Sequence, residues 1–218
     1  MTKEEYKKLY KQEDAVGWMA IDQQLERIYG KQEPRHYAPH LHAALGGEDP
    51  IDGTSIYDNE KQILHRHMIS YGMSQLYYDP EQAGGEFSKW GFEFTFRVQP
   101  FSEDKDEDPL WAIQVMNNLA RYVYESKRWF EPYHFIPANG PIRLDTATDI
   151  VGLAFAPDPE LGVMQTPHGE VSFLQMVGLT TKEVDRLLAK PHTGEVEKLI
   201  NEMREYNPLL ITDLDRVD

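Results

Sequence analysis

The chain has 218 residues, 40% of them hydrophobic, no cysteine, and a formal net charge of −15 from 37 acidic and 22 basic side chains. That length accommodates one sizeable domain with its own core. The lack of cysteine excludes disulfides, thiolate metal sites and a cysteine nucleophile, and the acidic surface has the wrong sign for a phosphate backbone. No apolar run reaches membrane-spanning length, and the polar opening Met1-Thr2-Lys3-Glu4-Glu5 lacks a signal-peptide core, so the expected location is the cytoplasm.

Residues 1–14 are charged, show no clear apolar face and read as a frayed helical lead-in to a single domain over 15–218. Trp18, Ile21, Leu25 and Ile28 fall at helical spacing and Gly30 stops that helix. Residues 31–39 read as a loop because Pro34 and Pro39 oppose regular structure. After the turn signals Gly46-Gly47 and Asp52-Gly53, short strands are predicted over 54–57, 67–71 and 75–78. The clearest strand is 91–98: Phe92, Phe94, Phe96 and Val98 alternate with Glu93, Thr95 and Arg97, as on a half-buried sheet.

Residues 102–108 form an acidic loop suited to steering a basic partner or simply to being solvated. Pro109 opens a helix through about 127, with Trp111, Val115, Leu119 and Tyr122 expected on its core face. Tyr122, with an apolar body and a polar tip, could instead edge a binding surface. Strands are predicted over 150–156, 163–166 and 170–179, the last two flanking the Pro167-His168-Gly169 turn. Thr180 and Glu183 make a capping box for a helix over 181–188. A second helix covers 195–206, and 209–212 is a candidate last strand. Strands precede and follow the long helix without βαβ alternation. The pattern is α+β, a mixed, mainly antiparallel sheet covered by helices.

Catalytic signals are sparse. His40 and His42, like His65 and His67, are spaced i, i+2, which on a strand puts both rings on one face. No acidic third ligand follows at a recognisable interval, so a metal-dependent enzyme is the weakest of three readings and no cofactor is expected. There is no Gly-x-Ser-x-Gly elbow and no phosphate-binding glycine loop. Glu93 and Arg97 share a strand face two pleats apart and read as a buried ion pair or a surface ladder rather than an acid–base couple.

Several stretches together resemble the suppressor-of-fused family: Leu45-Gly46-Gly47-Glu48-Asp49-Pro50, then His67-Met68-Ile69-Ser70-Tyr71-Gly72, Trp90-Gly91-Phe92-Glu93-Phe94, Asn118-Leu119-Ala120-Arg121-Tyr122, Gln165-Thr166-Pro167-His168-Gly169 and Leu210-Ile211-Thr212-Asp213. The resemblance implies a non-enzymatic protein binder with an α/β fold. Animal members have two domains and clamp a transcription-factor peptide between them as an added strand; this chain resembles their N-terminal domain, so the second wall of that cleft is missing. The resemblance also points to two partner-binding positions. The family's tyrosine after Ala-Arg is present as Tyr122, whereas its acidic residue farther on aligns with His134, replacing a permanent anion with an imidazole. Bacterial members are associated with immunity against secreted toxins. The expected partner is therefore a protein, a basic toxin domain neutralised by direct binding, with a regulatory peptide-binding scaffold as the alternative.

Overall fold

The computed structural model describes residues 1–41, 46–102 and 106–217. His42 and part of the acidic loop, 103–105, lie outside these residues. Among the described residues the elements run α1 (Lys3–Leu9), α2 (Val16–Tyr29), β1 (Arg35–Tyr37), β2 (Gly53–Asn59), β3 (His65–Tyr71), β4 (Phe87–Val98), α3 (Leu110–Ser126), β5 (Phe135–Pro137), β6 (Ile150–Pro157), β7 (Val163–Thr166), β8 (Gly169–Thr180), α4 (Thr181–Ala189) and α5 (Thr193–Arg204). The strands form one sheet in the order β1-β2-β3-β4-β8-β6-β5, with β7 paired to β8. Every named pairing is antiparallel except the central β4–β8 pair, which is parallel. The fold is α+β with a mainly antiparallel sheet.

The alternation in β4 sends Phe92, Phe94, Phe96 and Val98 into a core with Ala112, Met116, Leu119, Ala120 and Val123 of α3. The opposite face is not open. Ile21 and Leu25 of α2 pack on Tyr57, Ile69, Tyr71 and Phe173, and α4 and α5 set Val184, Leu187, Val196 and Ile200 against Ala154, Val177 and Leu179. Helices cover both faces, so Glu93, Thr95 and Arg97, expected on a half-buried sheet, are fully buried. The large apolar side chains of these layers contribute about 1.5–3 kcal/mol each on burial.

Several expectations change. The N-terminal segment is not frayed: Thr2 and Glu5 form a capping box on α1, and Tyr6 is fully buried with its hydroxyl 2.7 Å from His168 Nε2. Residues 75–78 make no strand; Leu76 C=O instead accepts the Gly17 N–H at 2.8 Å, and a Cβ on Gly17 would lie 1.9 Å from the Gln75 oxygen. Residues 35–37, expected as loop, form β1, and residues 135–137 form β5. The 209–212 segment adds only a single parallel bridge, Val98 to Thr212. The buried face of α3 is rotated from the expected one, leaving Trp111 and Val115 partly buried and Tyr122 44% exposed.

Candidate partner-binding site

After α3 the chain reverses at Lys127, which closes the helix in the left-handed region (φ 58°) with its N–H on Val123 C=O. The returning segment is pinned by rings. Phe130 is buried, stacked on Phe155 at 4.3 Å and tilted against Tyr122 at 5.7 Å. Tyr133 adopts φ 68°, unusual for a bulky side chain. Two backbone hydrogen bonds to β6 hold the conformation: Tyr133 N–H to Phe155 C=O at 2.7 Å, and Phe155 N–H to His134 C=O at 2.9 Å.

Tyr122 and His134 line one pocket of about 460 Å³, with Trp129, Tyr133, His192 and Val196 among the other walls. His134 Nδ1 accepts the Glu131 N–H at 3.2 Å, and its Nε2 lies 3.8 Å from the Glu131 carboxylate. Trp129 donates its indole N–H to the same carboxylate at 3.2 Å and is 53% exposed. Beside the pocket runs β5, which among the described residues pairs with β6 only. It is three residues long and ends in Pro137, which cannot donate to a ladder; both features are typical of edge strands.

The predicted histidine pair on β3 has a different setting. His65 and His67 do share a face, and both are buried there. The His65 Nδ1–H donates to Ile63 C=O at 2.8 Å, leaving Nε2 to accept from Arg97 at 3.2 Å. Because a carboxylate only accepts, the His67 Nε2–H donates to Asp158 at 3.1 Å and Nδ1 accepts the Tyr29 hydroxyl at 2.6 Å. Asp158 also takes Thr95 Oγ1–H and the N–H groups of Glu160 and Leu161, each at 2.9 Å, and pairs with Arg97 at 3.2 Å.

Burial pushes His67 down to about 4, with the Arg97 charge adding to it, so the ring is neutral at pH 7. Burial opposes ionisation of Asp158, but His67, Arg97 and the Leu161 N–H outweigh it and hold the carboxyl well below the usual range. Burial raises the Tyr29 hydroxyl to about 12. This Tyr–His–Asp chain therefore keeps its protons and works as an interior clamp. The ring nitrogens of His65 and His67 are all engaged, and among the described residues no group of three or more His, Cys, Asp or Glu is arranged to hold a metal ion.

Glu93 and Arg97 do not pair as expected. Glu93 accepts from the Ser70 and Ser74 hydroxyls (2.5 and 2.6 Å) and from the N–H groups of Gly72 and Ser74 (3.0 and 2.9 Å). It ties down the turn after β3, where Gly72 is needed: φ is 143° and a Cβ would meet Pro50 O at 2.6 Å. Sequence reasoning missed Asp158 as the centre of the clamp. The available signal was an acid set between two prolines, Pro157 and Pro159, at the end of a buried strand.

The geometry defines an α+β fold with helices on both faces of a central mixed sheet, a hydrogen-bonded polar interior and a short strand edge beside an aromatic pocket. Comparison with known proteins places that architecture. The chain belongs to the suppressor of fused family, whose model, described as suppressor of fused protein (SUFU), matches residues 47–217. The human suppressor of fused homolog is 33% identical over 210 residues, covering 92% of this chain and 43% of that protein. The chain thus spans less than half the length of this curated relative. The crystal structure of the Sufu–Fu complex matches with a TM-score of 0.82 at 27% identity, covering 94% of this chain and 93% of that one. Drosophila Suppressor of Fused matches with a TM-score of 0.80, also at 27% identity, covering 95% of this chain and 52% of that one.

Proposed function

We propose that this chain is a non-catalytic protein-binding module that receives an extended segment of its partner as an added strand on β5, with partner side chains entering the Tyr122–His134 pocket. The observation that carries this reading is the coincidence of an unpaired strand edge with a pocket of about 460 Å³ and two exposed aromatic rings, Tyr122 and Trp129. Strand addition obtains affinity from main-chain hydrogen bonds and specificity from pockets for alternate side chains. Aromatic residues at such a surface supply much of the binding energy. A related protein has been crystallised as a Sufu–Fu complex, which supports a protein as the ligand.

The partner we propose is a basic toxin domain, held and blocked by direct contact. The net charge of −15 supports it, because opposite charge speeds encounter and favours a cationic partner. Co-expression with a toxin domain encoded beside this chain tests the proposal. Wild-type chain should restore growth and co-purify with the toxin, and Trp129→Ala should weaken both. Rescue that survives Trp129→Ala and Tyr122→Ala together would move the contact away from this edge. No rescue by any neighbouring candidate, with an arrayed linear segment bound instead, would favour a regulatory peptide-binding scaffold at the same edge.

A further inference from the structure

A second cavity of about 460 Å³ lies at the other end of the sheet, between α2, the 30–34 loop and strands β1 and β2. Its walls include Trp18 and Tyr57. Each ring is backed by another: Trp18 stacks on Tyr71 at 4.3 Å, and Tyr57 on Tyr29 at 4.1 Å. Asp22 and Glu26, one helical turn apart on α2, and Glu33 of the loop also line it, against a single lysine, Lys31. Asp22 accepts the Tyr71 hydroxyl at 2.8 Å. Glu26 and Glu33 have no ion-pair partner among the described residues. His36, the remaining ionisable base of the wall, is pushed down by burial, which disfavours its charged form, against the opposing pull of Asp22.

Tyr57 gives an independent indication of a ligand. It is only 6% exposed and lines the cavity, and its hydroxyl, which is not sealed from solvent, makes no hydrogen bond to the described residues. Burial pushes that hydroxyl up to about 12, so it stays protonated and neutral, with its oxygen lone pairs available.

We infer that this cavity binds an organic cation, a primary ammonium or guanidinium group carried on an aliphatic stem. The rings of Trp18 and Tyr57 suit the stem and attract the charge through their quadrupoles. Asp22 and Glu26 supply the counter-charge, and the Tyr57 hydroxyl oxygen supplies an acceptor. An anion would meet three carboxylates. A neutral apolar ligand would desolvate Glu26, Glu33 and the Tyr57 hydroxyl without pairing them. The size falls within the range of small-ligand sites. The cavity is separate from the β5 edge, so the inference does not depend on the function proposed there.

Two-dimensional NMR of the whole chain, following the Trp18 indole N–H, tests it with three probes: agmatine, 1-pentanol as a neutral control, and a Gly/Ser peptide bearing one arginine. Agmatine or the peptide should shift the Trp18 signal saturably, and pentanol should not. A Glu26→Gln, Tyr57→Phe double variant with an unchanged fold by its amide spectrum should bind at least about tenfold more weakly. Saturation by agmatine identifies a free small molecule as a sufficient ligand. Saturation by the peptide alone identifies a side chain of a protein partner. No response to either cation up to about 10 mM, an equal response to pentanol, or undiminished affinity in the double variant overturns the inference.

Discussion

The two edges of the sheet are both three-residue strands, yet they are finished in opposite ways. At β1, Arg35 forms ion pairs with Asp58 and Asp108, each at 2.8 Å, Arg66 joins Asp58 at 2.8 Å, and the Tyr37 hydroxyl donates to Asp108 at 2.7 Å. Charge tied across a strand end is a standard way to discourage another strand from pairing there. At β5 the neighbouring side chains are Tyr122, Trp129, Tyr133 and Phe135, and Pro137 closes the strand. The difference teaches that an edge is defined by what surrounds its unpaired peptide groups more than by its length. One edge is tied up by ion pairs, and the other is lined by aromatic rings.

The strongest way to break the comparison is to damage what both edges share. Arg97→Met removes the counter-charge of the fully buried Asp158 and should cost about 3–5 kcal/mol, read as a lower urea midpoint, with both edges affected together. A stability close to wild type would show that Asp158 is neutralised by other means. Next in size, Tyr122→Ala should weaken partner binding by about 2 kcal/mol, roughly 30-fold, in calorimetry. Arg35→Ala at the β1 edge should leave that affinity unchanged, and equal losses at the two edges would erase the distinction.

The pH response is gentler per step. Burial pushes both His65 and His67 down to about 4 from 6.5. Between these values the unfolded chain binds more protons than the folded one, so stability is complete above about pH 6.5 and falls as pH drops toward 4. Each histidine contributes up to about 1.4 kcal/mol per pH unit. Denaturation midpoints across that window should show the slope, and His67→Gln should lower it; a flat profile would exclude the buried neutral rings. The smallest effect belongs to the β1 edge itself, where Arg35→Ala should cost no more than about 1 kcal/mol in thermal unfolding.

Much of the architecture was legible. The aromatic alternation of β4, the stop at Gly30, and the Thr180–Glu183 capping box all mark elements that form, because each is a local signal acting on local backbone. What escaped depends on distant partners. Three residues at 35–37 or 135–137 cannot display a period, so β1 and β5 exist only through β2 and β6. The 75–78 segment carries strand-favouring tyrosines but is occupied with receiving the N-terminus of α2. That Glu93 and Arg97 bind separate partners required knowing that Ser70 and Ser74 meet one and Asp158 the other. The ordered N-terminal helix rests on a distant partner too, because the docked Tyr6 hydroxyl meets His168.

Tyr122 and His134 were marked through family resemblance, and folding brings them to one pocket. Trp129 and Tyr133 lie between them in the chain, whereas Val196 comes from α5, and no spacing rule links it to them.

The single parallel pairing has a kinetic consequence. Strands β1 to β4 form one run of antiparallel neighbours, and β5, β6, β7 and β8 form another; among the named strands the two runs pair through β4 and β8, with Phe94 opposite Leu174 and Phe96 opposite Met176. That seam joins residues some eighty positions apart, so closing it costs more loop entropy than building either run. Refolding should therefore be limited by the moment the two halves zip together. Truncating Leu174 should slow folding more than truncating Ile56 within the first run, and stopped-flow rates showing the reverse order would place the barrier elsewhere.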